Sequence, residues 1–84
     1  MSTLEDLASK LAEDTIVAMK LTGDERLYVQ VGDMLATSSQ SLEEAYLTEV
    51  RVRLAERNAR RFIETKIAAA RKAEKDAAAQ KTPS

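Results

Sequence analysis

Residues 42–78 contain neither proline nor glycine, and this stretch limits the possible folds more than any other feature of the sequence. Alanine, glutamate, lysine and arginine dominate it, and all four residue types favour helix. Ser41 and Glu44 have the spacing of a capping box, in which each side chain bonds to a backbone N–H group at the helix start. The sequence therefore predicts one long helix over residues 41–78, followed by a flexible tail over residues 79–84.

The apolar residues of this predicted helix change sides near residue 52. At about 100° per residue and with Leu42 at zero, one group lies in an arc centred near 70° and the other in an arc centred near 270°. The first group is Leu42, Tyr46, Leu47, Val50 and Leu54, and the second is Val52, Ala55, Ala59, Phe62, Ile63, Ile67 and Ala70. Because supercoiling moves an apolar seam by only about 20° per heptad, two different surfaces must cover the two groups.

The second group predicts an intermolecular interface, since an 84-residue chain has little sequence left to cover it. We name its five candidate interface residues the apolar stripe: Val52, Ala59, Phe62, Ile63 and Ile67. Phe62 is the expected aromatic anchor, because aromatic residues dominate binding energy at many interfaces. The alternative is that the first helix of the same chain folds back over this stripe.

Residues 15–35 admit two interpretations. Residues 15–21 and 26–31 are rich in β-branched residues and flank a turn-like segment at 22–25, which predicts a β-hairpin. The alternative extends the first helix to Leu21 and forms a second helix from Asp24. Against the alternative, a mid-helix Gly32 costs roughly 1 kcal/mol.

The preferred fold class is therefore α+β, in one domain over residues 1–78. A short helix over residues 3–13 is followed by the hairpin over 15–35 and the long helix over 41–78, and two such chains form a dimer. The all-α, three-helix arrangement is the alternative.

Charge is divided unevenly along the chain. Residues 1–50 hold ten acidic and three basic residues, whereas residues 51–84 hold four acidic and ten basic ones. The helix side opposite the apolar stripe carries four arginines, which we name the basic stripe: Arg53, Arg57, Arg60 and Arg61. Such a stripe fits a solvated face or ion pairs with the acidic half, an acidic protein partner, or the phosphates of a nucleic acid.

Catalytic chemistry has little support in the sequence. The chain has no histidine and no cysteine, so the commonest near-neutral base, nucleophile and metal ligands are absent. Its two glycines, Gly23 and Gly32, form no phosphate-binding motif. We expect no enzyme activity, no catalytic residue, no cofactor and no metal.

The expected function is that of a small dimeric adaptor or regulator that binds protein through its long helix, as a coiled coil would. The alternative is a nucleic-acid-binding protein that uses the basic stripe. The start of the chain lacks the pattern of a secretion signal, and no apolar run is long enough to span a membrane. The sequence therefore favours a cytoplasmic protein with no membrane partner.

Overall fold

The computed structural model describes residues 2–80, and this part of the chain forms three helices and no strand. They are α1 over Thr3–Thr22, α2 over Leu27–Ala36 and α3 over Gln40–Gln80. The predicted α+β class is therefore wrong, and the alternative three-helix arrangement is correct. The predicted hairpin over residues 15–35 is in fact the second half of α1, a short turn and α2.

Helix α1 is capped at both ends by hydrogen bonds between residues close in sequence. The N–H of Glu5 donates to the Ser2 hydroxyl at 3.2 Å, which satisfies one of the free donors at the helix start. Gly23 adopts the left-handed conformation at φ 73° and donates its N–H to the carbonyl of Met19 at 2.9 Å. This glycine, and not Glu13, marks the end of the helix.

The buried face of α1 explains why the helix does not stop at residue 13. Ala8, Ala12, Thr15 and Met19 are buried, and their spacing of four, three and four residues makes one continuous seam. The predicted first strand begins at Thr15, inside this seam. Packing of the seam therefore outweighs the preference of Ile16 and Val17 for strand.

Helix α2 takes the place of the second predicted strand. Its glycine, Gly32, is buried, and a Cβ added there would lie 3.2 Å from a methyl carbon of Leu47. The missing side chain lets α2 approach α3 closely. The residue that weighed against a helix thus serves its packing.

Helix α3 is capped by a different serine from the one predicted. The N–H of Leu42 donates to the Ser39 hydroxyl at 3.2 Å, while Ser41 is already inside the helix. Ala79 and Gln80, the start of the predicted tail, are the last residues of α3. Residues 81–84 lie outside the described part of the chain.

The chain divides after Leu54 into two compact units. In the first unit Ala8, Ala12, Tyr46 and Val50 are fully buried and form the core. The partly buried side chains packed against them are Leu11, Tyr28, Val31, Leu35, Leu42, Ala45, Leu47 and Leu54. The first apolar group of α3 thus packs on α1 and α2. A single domain over residues 1–78 stays a prediction.

One buried hydrogen bond joins α1 to α3 within this core. The Tyr46 hydroxyl donates to the Thr15 hydroxyl oxygen at 2.9 Å, and Thr15 donates to the Leu11 carbonyl at 2.7 Å. Each hydroxyl hydrogen therefore has an acceptor, which removes most of the cost of burying these groups.

Candidate interaction surface

The apolar stripe is exposed in the single chain. The exposed fraction is 59% for Val52, 63% for Phe62, 55% for Ile63 and 44% for Ile67. Ala59 is exposed as well. These values contrast with the full burial of Tyr46 and Val50 earlier in α3, so the change of sides at residue 52 separates a covered face from an uncovered one.

The spacing of the apolar stripe gathers it on one side of α3. Ala59, Ile63 and Ile67 follow one another at four-residue intervals, and Phe62 lies three residues after Ala59. The ammonium of Lys66 lies 5.3 Å from the centre of the Phe62 ring, within cation–π range. The stripe is thus an apolar strip with a cation at its edge.

Two of the four arginines of the basic stripe are held by glutamates on α3. Arg53 donates to the Glu49 carboxylate at 2.7 Å and to the Ser9 hydroxyl at 2.8 Å, so it also ties α3 to α1. Arg60 donates to the Glu56 carboxylate at 2.7 Å, in an exposed pair. Arg53 therefore has a structural role in the first unit.

The other two arginines differ from each other. Arg57 is half-buried, and its Nε is a buried donor with no hydrogen-bond partner among the residues described. Arg61 is exposed. The basic stripe is consequently not a row of four equivalent cations.

A groove between α1 and α3 is the feature that sequence reasoning missed. It encloses about 560 Å³ and opens to solvent, and we name it the α1–α3 groove. Its lining residues are Leu4, Glu5 and Ala8 from α1 and Ser41, Glu44, Ala45, Thr48 and Glu49 from α3. The small side chains leave the space, and Glu5 and Glu44 give it negative charge, while the third glutamate, Glu49, is paired with Arg53. The small residues Ala8 and Ala45 were the only sequence signal of the groove that we identify. They come together only when α1 packs on α3.

The acidic residues that the structure describes form no candidate metal site. No three His, Cys, Asp or Glu side chains come together as possible metal ligands anywhere in residues 2–80. Burial raises the pKa of the Tyr46 hydroxyl above its usual value of 10.0. That hydroxyl belongs to the core, where it donates to Thr15.

None of the helices within residues 2–80 combines the length and the apolar character that a membrane span requires. Comparison of the chain with protein-family models, curated proteins and solved structures finds no match. The function of the chain must therefore be inferred from its own surfaces.

Proposed function

We propose that the protein acts by binding protein, as a dimeric, non-enzymatic adaptor or regulator whose contact surface is the apolar stripe of α3. The observation that carries this proposal is the exposure of Phe62, Ile63 and Ile67 side by side on one helix. Single exposed apolar residues are common on soluble proteins, but contiguous ones mark interaction surfaces.

Burial of the apolar stripe would favour association. Burying a large apolar side chain contributes about 1.5–3 kcal/mol relative to leaving it in water. Four such side chains of the apolar stripe keep roughly half of their surface or more in solvent. Binding of a partner that covers them would therefore be favoured by several such contributions. These are opposed by the free-energy cost of the rotational and translational freedom that the two molecules lose.

The alternative, nucleic-acid binding through the basic stripe, has weaker support. Arg53 and Arg60 already donate to glutamates, and the whole chain has a formal net charge of −1. Duplex binding through arginines would weaken steeply between about 50 and 200 mM salt. Duplex binding that weakens in this way with salt would favour nucleic-acid binding. No duplex binding at low salt would eliminate it.

The test of the proposed function is the mass of the protein in solution across a concentration series, measured by sedimentation equilibrium. The wild type should form a dimer, and Phe62→Asp should weaken it by about 2 kcal/mol or more, because a charge replaces the anchor. Met34→Asp is the matched control, since Met34 is 73% exposed and lies on α2, outside the stripe. A wild type that stays monomeric at every concentration would contradict the proposal. An equal loss of dimer affinity in Phe62→Asp and Met34→Asp would contradict it as well.

A further inference from the structure

We propose that the apolar stripe of one chain docks in the α1–α3 groove of a second copy. This inference rests on the proposed function and goes further, because it names the occupant of both surfaces. Each copy carries a groove and a stripe, so each surface of one copy has a matching surface on the other.

Charge complementarity supports this pairing. Residues 1–54, which form the grooved unit, hold ten acidic and five basic residues, for a net charge of −5. Residues 55–84 hold four acidic and eight basic residues, for a net charge of +4. Opposite charges of this size steer two copies together in the groove-to-stripe orientation and oppose stripe-to-stripe contact.

The surfaces also match in detail. The groove has apolar or small residues, among them Leu4, Ala8 and Ala45, between glutamates. The stripe presents Ile63 and Ile67, bordered by Lys66 and Arg71 and by one acid, Glu64. An apolar centre within a charged rim on both sides is the ordinary composition of a protein interface.

One antiparallel register of the two α3 helices brings opposite charges together. It places Glu44 near Lys66 of the second copy. Glu49 and Arg60 of the second copy also come near each other, but each already has a partner on its own helix, Arg53 and Glu56 respectively. In this register Ile63 and Ile67 of the second copy come within about two residues of Ala45 and Ser41.

An anionic membrane surface is a less suitable occupant. A basic amphipathic helix can lie on anionic lipids. The first unit, however, carries a net charge of −5 and would be repelled from such a surface. The acidic groove of another chain attracts the basic segment without that penalty.

Cysteine cross-linking tests the pairing directly, because the chain contains no cysteine of its own. Ser41→Cys and Ala70→Cys are mild substitutions at exposed positions of α3, one in the groove and one beyond Ile67. Full-length chains of the two variants, one carrying a mass tag, are mixed and oxidised.

The expected product is a mixed disulfide that joins a Ser41→Cys chain to an Ala70→Cys chain through the two introduced thiols. Ala70→Cys chains that cross-link only to each other would instead show stripe-to-stripe contact and overturn the inference. A dimer that forms no mixed disulfide would overturn it as well.

A charge exchange provides the second test, read as the dimer dissociation constant. Glu44→Lys and Lys66→Glu should each weaken the dimer by about tenfold or more, because each places like charges together. The double variant Glu44→Lys/Lys66→Glu should recover most of the affinity. Asp33→Lys, exposed on α2 and outside the groove, is the control for the change in net charge.

The outcomes separate this inference from the proposed function. If Phe62→Asp dissociates the dimer while Glu44→Lys does so no more than Asp33→Lys, the stripe binds protein but not through the groove. If neither Phe62→Asp nor Glu44→Lys affects a stable dimer, both proposals fail. Recovery in the double variant supports both.

Discussion

Tyr46 joins α1 to α3 through a buried hydrogen bond. It is fully buried, and its hydroxyl donates to Thr15, a residue 31 positions away in the sequence. A buried hydroxyl without a partner would cost roughly 1–3 kcal/mol. The bond therefore makes this packing of α1 on α3 specific as well as apolar.

Tyr46→Phe should lower the free energy of unfolding by about 1 kcal/mol, because it removes this hydrogen bond and leaves the ring in place. Urea denaturation followed by circular dichroism measures the change. Tyr28→Phe, at a half-buried position on α2, is the matched control and should have a smaller effect. Equal losses in the two variants would contradict the structural role of the Tyr46 hydroxyl.

The same hydroxyl makes stability depend on pH in the alkaline range. Its pKa is raised above 10.0 in the folded chain by burial, so the unfolded chain releases this proton at lower pH than the folded chain does. The contribution is complete below pH 10 and is lost as the pH rises through the folded-state value. The unfolding free energy of the wild type should fall more steeply above pH 10 than that of Tyr46→Phe. Parallel curves would refute this assignment.

At the scale of the helices, local patterns predicted α3 well and the two shorter helices poorly. Two signals predicted α3: the long stretch without proline or glycine, and the change of sides at residue 52. Both can be found from residues close together in the sequence of one helix. In contrast, α1 is held by Ala8, Ala12 and Thr15, whose small side chains give a weak apolar period. Ile16 and Val17, which predicted a strand, lie outside that buried seam.

The candidate surfaces divide in the same way. Phe62, Ile63 and Ile67 could be recognised from spacing alone, because one helix places them together. The α1–α3 groove could not, since Ala8 and Ala45 meet only after α1 and α3 pack. The role of Gly32 likewise depends on its contact with Leu47, which no local pattern records.

The cap of α3 gives a direct test between local pattern and structure. Ser39→Ala should lower the free energy of unfolding by about 0.5–2 kcal/mol, because the N–H of Leu42 loses its acceptor. Ser41→Ala should cost much less, since Ser41 lies inside the helix, where alanine is favourable. Thermal or urea denaturation of the two variants decides the matter. A larger loss for Ser41→Ala would restore the predicted capping box.

For the whole molecule, the two units differ in what stabilises them. The first has a core around Tyr46 and Val50, whereas residues 58–80 are exposed throughout in the single chain. Helices in proteins gain most of their stability from packing an apolar face. The second unit therefore has the most to gain from a partner.

Hydrogen exchange should show this difference. Amides of residues 58–75 should exchange rapidly in dilute protein and more slowly as the concentration rises through the dimer range. Amides near Ala12 and Val50 should remain protected at every concentration. Exchange in residues 58–75 that is independent of concentration would argue against association through α3.

The positions of the aromatic residues have a practical consequence for spectroscopy. The chain has no tryptophan, and both tyrosines, Tyr28 and Tyr46, belong to the first unit. Tyrosine fluorescence therefore does not report melting of the distal part of α3, whereas far-ultraviolet dichroism records every helical turn. Midpoints from the two signals can diverge without any folding intermediate in the first unit, and their difference measures how independently the distal segment melts.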